Sequence, residues 1–384
     1  MATHRIVIAG SGGIGRAVGL LLRELGDLDV HLTLGDLSEE QARSAAAFIS
    51  DGSDRRGAVE TVVMPMSGST PALDRALADA DLILDCLPGG QAPRVASWAL
   101  VHNAHYANLT EYVAETNQIL EMARGARTGF ALQCGLAPGY VNVLGHQLFR
   151  RFCAQHGVTQ VERLKMRVGA LTRNAEAPHF YGFTWSPIGV ATEYVKDAIV
   201  VRGGVQKLVP SLAEVEELLI DGVRYEEATT SGGAADLPDA LAGKVRDLDY
   251  KTLRFPGHWA WVQEQLAAIG DAPDRIQQLE DRMLRTIPQM EDDIVVIYAS
   301  TEGTDRRGHR HRIDAAYMVY PEQFGAQTLR AIQSTTAAGM AECARMLLTT
   351  DVRGPLLQSQ LDPDDYLAGP YVGAVYGAPL GARG

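Results

Sequence analysis

Over the first 140 residues the apolar positions switch repeatedly between two periods. Short β-rich runs at His4–Ala9, Val30–Leu34, Glu60–Met64 and Asp81–Leu87 predict strands. Between them, Ile14–Leu25, Ser38–Ile49, Leu73–Ala80 and Pro93–His102 carry apolar residues at helical spacing. Ser38 opens its helix as an N-cap, with Glu39 and Glu40 in the first turn, where the helix dipole favours acids. Tyr106–Leu109 and Gly129–Cys134 continue the strand series. Strands alternating with helices of this length predict β-α-β units and an α/β, doubly wound parallel sheet over residues 1–140.

The pattern changes after Gly135-Leu-Ala-Pro-Gly139. A helix is expected over Val141–His156, followed by strand-like segments at Val161–Val168, Ala198–Val201, Gln206–Val209 and Asp293–Ser300. Thr301–Gly308 reads as a turn leading into Arg312–Tyr320. This predicts a second, α+β domain of mixed sheet over 141–325, serving substrate binding and dimerisation. Gln327–Leu348 reads as one long Ala-rich helix, so residues 326–370 are expected to return to the first domain. The Gly- and Ala-rich stretch Gly373–Gly384 reads as a mobile tail, placed over 371–384.

Composition narrows the function. The 384 residues are 46% hydrophobic and 21% charged, enough for two sizeable cores. Asp plus Glu number 47 against 35 Lys plus Arg, a net charge of −12, which argues against a nucleic-acid partner. No apolar run reaches the ~18 residues of a membrane span, and no basic-then-apolar leader precedes Ile6. The four cysteines are far apart without a CxxC pair, so neither a disulfide framework nor a metal site is expected. These features together suggest a soluble cytoplasmic protein.

The loop after the first strand carries the clearest chemistry. Gly10-Ser11-Gly12-Gly13-Ile14-Gly15 fits G-x-G-x-x-G between a strand and a helix, the fingerprint of a dinucleotide-binding Rossmann domain. The first glycine permits the turn, the second lets the backbone approach a pyrophosphate, and the third allows close helix–sheet packing. Asp36 ends the second strand, where it can accept hydrogen bonds from ribose hydroxyls and repel an additional phosphate. Leu37, not a basic residue, follows it. NAD is therefore the expected cofactor. The ends of later strands place Cys86-Leu87-Pro88 and Asn108-Leu-Thr-Glu111 near the nicotinamide. Cys86 reads as a small filler more readily than as a nucleophile, and Glu111 as either a candidate base or a solvated helix-start carboxylate.

Beyond residue 134, Tyr181-Gly-Phe-Thr-Trp185-Ser-Pro187 combines aromatics, hydroxyls and breakers. Lys251-Thr-Leu-Arg254-Phe-Pro-Gly-His258 places an Arg and a His at a Pro-Gly turn, and an Arg fork can hold a carboxylate bidentately. With Gly135–Gly139, Trp185-Ser-Pro187 and Thr230-Ser231-Gly232 in this order, the chain resembles the saccharopine dehydrogenase–like family. Within it, Val209–Glu216 followed by Glu227–Gly233 is most similar to the lysine 6-dehydrogenase branch. The resemblance implies NAD-dependent oxidation of the terminal amine of L-lysine, or a close diamino acid, to a semialdehyde that cyclises. It implies that Arg254 holds the α-carboxylate, with Thr230 and Ser231 as hydrogen-bonding neighbours. Tyr181 and Trp185 would pack the aliphatic chain, and Glu111 or His258 would take the proton. The saccharopine-forming branch, acting on a secondary amine, is the alternative. That branch carries Arg after the Ser-Pro pair, where this chain has Ile188. A non-catalytic NAD sensor is a third reading, against which an Arg clamp argues.

Overall fold

A computed structural model of the protein describes residues 3–55 and 57–381. The chain begins with β1 (His4–Ala9), α1 (Gly13–Glu24), β2 (Val30–Asp36), α2 (Glu39–Gly52), β3 (Val59–Val63) and α3 (Pro71–Ala78). It continues through β4 (Leu82–Asp85), α4 (Ala92–His102), β5 (His105–Asn108), α5 (Val113–Met122), β6 (Gly129–Ala131) and α6 (Tyr140–His156). Then follow β7 (Val161–Thr172), α7 (Pro187–Val195), β8 (Ala198–Arg202), β9 (Val205–Val209), β10 (Glu216–Ile220) and β11 (Val223–Thr229). Next are α8 (Leu237–Ala240), β12 (Val245–Arg254), α9 (His258–Ile269), α10 (Arg275–Thr286), β13 (Asp293–Thr304) and β14 (Arg310–Val319). The chain closes with β15 (Glu322–Phe324), β16 (Gln327–Leu329), α11 (Ala331–Thr349), β17 (Gly354–Leu356), α12 (Pro363–Leu367) and α13 (Pro370–Tyr376). Two compact units result. The first holds the residues up to Tyr140 with Glu322–Leu329 and Gln333–Gly377, and the second holds Val141–Pro321, Arg330–Ile332 and the residues from Ala378 on.

In the first unit seven parallel strands pair in the order β17-β6-β5-β4-β1-β2-β3. Ile6 of β1 faces Leu32 on one side and Leu82 on the other. Helices cover both faces, so the central strands are apolar throughout rather than alternating. Ile6, Val7, Ile8 and Ala9 are all buried, as are Val18, Leu21 and Leu22 of α1. Each such Val, Leu or Ile side chain contributes roughly 1.5–3 kcal/mol on leaving water. The strand order reverses between β1 and β4, which puts the crevice for a ligand beyond their carboxyl ends.

The second unit is a mixed sheet, β10-β11-β12-β7-β13-β14, with β8 attached to β12 and β9 to β8. The two 12-residue strands β7 and β13 run antiparallel from Asp293↔Thr172 to Glu302↔Arg163, and β12 lies parallel to β7. Side chains alternate between faces along β12. Tyr250, Thr252 and Arg254 share one face, while Asp249, Lys251 and Leu253 share the other. Residues of α7, α9 and α10 join Tyr181 and Phe183 in one core, with Tyr194, Trp259 and Met283 buried in it.

Several expectations need correction. The long helix starts at Ala331, because Gln327–Leu329 pairs with Glu322–Phe324 as a small hairpin in the first unit. Its start is fixed from a distant strand: Asp293 accepts the N–H groups of Ala331 and Ile332, both at 2.8 Å. The expected tail begins with α13, whose Tyr371, Val372, Val375 and Tyr376 are buried. Residues 382–384 of that stretch lie outside the described residues. The expected Thr301–Gly308 turn is shorter, since β13 runs to Thr304. The pattern also did not disclose α5, α7, α9, α10 or most of β12.

Candidate active site

The glycine loop follows β1 at the carboxyl edge of the first sheet. Gly10 has φ +93°, a conformation that disfavours a side chain, and a Cβ there would meet the Cys86 carbonyl at 2.9 Å. A Cβ on Gly15 would lie 1.9 Å from the Gly10 oxygen, so only glycine lets α1 pack this closely. Gly12 differs, with nothing within 4 Å of its Cβ position, so its backbone is open to a ligand. No acidic residue stands in the first turn of α1 and no side chain caps it. Its first N–H groups and the positive end of the helix dipole therefore suit a pyrophosphate. Ser11, Gly13 and Ile14 complete the loop, and Gln333 donates to the Gly13 carbonyl at 3.4 Å.

Asp36 binds the loop directly. Its Oδ2 accepts from the Ser11 amide at 3.0 Å and the Ser11 hydroxyl at 2.9 Å, and its Oδ1 from the Ser38 amide at 3.1 Å. Burial pushes its carboxyl up, but these donors outweigh burial and hold it below its ordinary value. Leu37 beside it is 58% exposed, an apolar shelf of the kind an adenine ring can cover. These features fit a dinucleotide. After β4, Leu87 lies against Gly10 and Pro88 is exposed. Burial and the neighbouring Asp85 charge push the Cys86 thiol up, which removes it as a nucleophile. Burial raises Asp85 itself to about 7 although Leu87 N–H and the Tyr106 hydroxyl both donate to it. Glu111 is half-buried in the short link between β5 and α5.

In the second unit, Arg254 is the last residue of β12 rather than part of the turn, and it is 1% exposed. Its guanidinium lies over the Tyr181 ring at 4.5 Å, with Tyr194 and Trp259 each at 5.6 Å. Nε donates to the Tyr194 hydroxyl at 2.8 Å and Nη1 to the Leu253 carbonyl at 2.9 Å. The other buried cations of this sheet are neutralised. Arg167 pairs with Glu227 and Asp249 at 2.7 and 2.6 Å, and Lys251 with Glu216 at 3.0 Å. Among the described residues, no carboxylate comes within 4.0 Å of Arg254. Burial works against its charge, whereas Tyr194, Tyr181 and the Glu193 carboxylate favour it, and the guanidinium stays protonated. A buried cation without a paired anion is costly unless a ligand supplies one.

His258, the first residue of α9, is fully buried. Its Nδ1 lies 2.6 Å from the His179 carbonyl, which can only accept, so Nδ1 carries the proton. Nε2 then accepts from the Tyr194 hydroxyl at 3.1 Å. Burial and the Arg254 charge lower its pKa to about 3 against the favourable His179 carbonyl. Both nitrogens are engaged, and burial beside Arg254 makes the ring a weak base, which counts against His258 as the expected proton acceptor. Its Nε2 holds the Tyr194 hydroxyl. Thr230 bonds at 2.6 Å to Thr252, which shares a face of β12 with Arg254, and the Ser231 amide donates to the Glu193 carbonyl at 3.1 Å.

The Tyr181 hydroxyl is buried beside the Trp185 side chain and, among the described residues, makes no well-formed hydrogen bond, so it can take one from a ligand. Trp185 is half-buried, its ring against Gly189. The Ser-Pro pair after it has a local reason, since Ser186 caps α7 by accepting from Gly189 N–H and Pro187 opens the helix. Sequence reasoning missed Tyr194 and Glu193. Both sit on α7, which the pattern did not show, and only an aromatic-acid pair on a helix after Ser-Pro could have pointed to them.

The saccharopine dehydrogenase C-terminal domain family matches residues 135–375, and the saccharopine dehydrogenase NADP binding domain family matches residues 6–131. Among solved structures, the apo saccharopine dehydrogenase (L-Glu forming) of Saccharomyces cerevisiae aligns with a TM-score of 0.75 at 14% identity. That match covers 94% of this chain and 95% of that one. Homospermidine synthase of Legionella pneumophila, solved with NAD, aligns with a TM-score of 0.66 at 12% identity over 100% of this chain and 94% of that one. The fold is shared with both. With its NAD(P)-binding first unit and a C-terminal match over most of its length, the chain belongs to the saccharopine dehydrogenase family of oxidoreductases.

Proposed function

We propose that the protein is an NAD-dependent amino-acid dehydrogenase that oxidises the terminal amine of L-lysine, or of a close diamino acid. The product would be a semialdehyde that cyclises to a piperideine carboxylate. The observation that carries this reading is Arg254, a buried guanidinium ringed by Tyr181, Tyr194 and Trp259 with no carboxylate paired to it among the described residues. An amino-acid carboxylate satisfies that charge. The aromatic rings around it suit the methylene chain of the same substrate. Glu193, whose charge acts on Arg254, Tyr181 and Tyr194, supplies the opposite sign for an ammonium group. The first unit would hold NAD through Gly10–Gly15, Asp36 and Leu37, and bound NAD supplies the hydride acceptor. Asp36, already anionic, would accept from a ribose and disfavour a 2′-phosphate.

A free lysine amine has a pKa near ~10.4 and must lose its proton before its carbon can give up hydride. With His258 neutral and engaged, Glu111 is the remaining proposed acceptor, and activity should rise toward alkaline pH. Ile188 stands half-buried in the first turn of α7 and brings no charge, which supports a substrate with one carboxylate at this point. The experiment compares lysine plus NAD with saccharopine plus NAD under one set of conditions. Lysine should reduce NAD without a 2-oxo acid, giving a cyclic imine that o-aminobenzaldehyde traps. Faster turnover of saccharopine, or glutamate as a product, would move the protein to the secondary-amine branch.

A further inference from the structure

The hairpin between β13 and β14 gathers three metal-ligand side chains far along the chain from the residues discussed so far. Asp305 opens the turn, and His309 and His311 follow on its return side. One carboxylate oxygen and one ring nitrogen from each His all lie within 4.8 Å of one another. Asp305 Oδ2 is 3.0 Å from His311 Nε2 and 3.5 Å from His309 Nδ1. Zinc binds His nitrogen and carboxylate oxygen at about 2.0–2.1 Å, which sets donors about 3.3 Å apart along a tetrahedral edge. The two measured separations lie either side of that value.

The surroundings orient these donors. Asp305 Oδ1 accepts from the Arg307 and His309 amides at 2.8 and 2.9 Å, which leaves Oδ2 aimed at the imidazoles. The His311 ring stacks on His156 with centroids 4.1 Å apart, an outer support that fixes its plane. Neighbouring cations have partners of their own. Arg306 donates to the Gly157 carbonyl, Arg310 faces Glu162 at 3.5 Å, and Arg312 pairs with Asp314 at 3.0 Å.

We propose that Asp305, His309 and His311 form a binding site for a first-row divalent cation, with zinc the best match to two imidazoles and a carboxylate. A water would fill the fourth position, and the bound ion would clip the end of the hairpin. The test uses the full chain, stripped with a chelator and dialysed, then titrated with zinc chloride alone at pH 7.5 by calorimetry. One zinc per chain is expected, with affinity reduced at least tenfold in His309→Ala and in His311→Ala. His309 is 70% exposed, so its replacement should leave the zinc-free melting temperature unchanged, while zinc raises that temperature only in the unaltered protein. Absence of saturable zinc binding would overturn the proposal, as would variants that bind zinc as tightly as the unaltered protein. The cluster would then be an ordinary carboxylate–histidine ion pair.

Discussion

Arg254 and Tyr194 are joined by a 2.8 Å hydrogen bond in which the guanidinium Nε donates to the phenol oxygen. That bond sets the direction of the chain beyond it. The Tyr194 proton must point to His258 Nε2, and the His258 Nδ1 proton to the His179 carbonyl. Every donor in this row has one acceptor, so the outer edge of the guanidinium is fixed in place with donors to spare.

Removing the guanidinium should therefore separate substrate from cofactor. Arg254→Ala should leave NAD affinity nearly unchanged while kcat/KM for the amino acid falls a hundredfold or more. Losing one partner of a buried charge pair costs about 3–5 kcal/mol, and each 1.36 kcal/mol is tenfold. Arg254→Lys keeps the charge without the fork and should fall between the two. Steady-state kinetics with a titration of NAD binding decides this.

Tyr194→Phe keeps the ring and removes the link. Arg254 Nε and His258 Nε2 are then left buried without a partner, at about 1–3 kcal/mol each. Both a lower melting temperature and a raised KM are expected, with NAD binding unaffected. Unchanged kinetics would mean that Arg254 is held well enough by its ring contacts and the Leu253 carbonyl.

Asp36 should govern nucleotide choice. The unaltered enzyme should prefer NAD over NADP by well over tenfold in kcat/KM, and Asp36→Ala should narrow the gap. Equal use of both by the unaltered enzyme would remove Asp36 as the discriminating residue.

Two buried groups should give opposite pH dependences of stability. His258 has a folded pKa of about 3 against an ordinary 6.5, so its contribution is full above pH 6.5 and is lost as pH falls toward 3. Asp85 has a folded pKa of about 7 against 3.8, so its contribution is full below 3.8 and is lost as pH rises toward 7. Between these limits they oppose one another, at up to about 1.4 kcal/mol per pH unit each. Asp85→Asn should therefore make the protein more acid-sensitive between pH 4 and 6.5, and His258→Gln less so. Melting temperatures across that range, compared with the unaltered protein, read the difference.

The C-terminal residues should matter for stability. Glu342 is fully buried and accepts from the Tyr371 amide at 3.1 Å, and the Tyr376 ring stacks on Tyr140 at 3.5 Å. A chain ending at Gly369 should melt lower by at least about 5 °C, since burying Tyr371, Val372, Val375 and Tyr376 contributes roughly 1.5–3 kcal/mol each and each kcal/mol moves a protein of this size by about 1 °C. A truncated protein with an unchanged melting temperature would restore the mobile-tail reading.

By itself the sequence determined most of the strand–helix alternation over residues 1–140 and the glycine loop within it. β1 is predicted to the residue, because buried parallel strands and amphipathic helices write their periods locally and G-x-G-x-x-G must sit at their junction. The Ser38 cap and Asp36 follow from the same local rules. The sequence also marked Arg254 as a cation to explain. Tertiary structure decided what that cation is. Arg167 and Lys251 look much like it in sequence, yet strand pairing gives them acidic neighbours and gives Arg254 aromatic ones. His258 was readable as a base, and only its burial against Arg254 and His179 makes it a neutral support. The start of α11 and the packing of α13 depend on Asp293 and Glu342, carboxylates 38 and 29 residues before the amides they accept. Such partners leave no local period, because the chain brings them together only after both elements have formed.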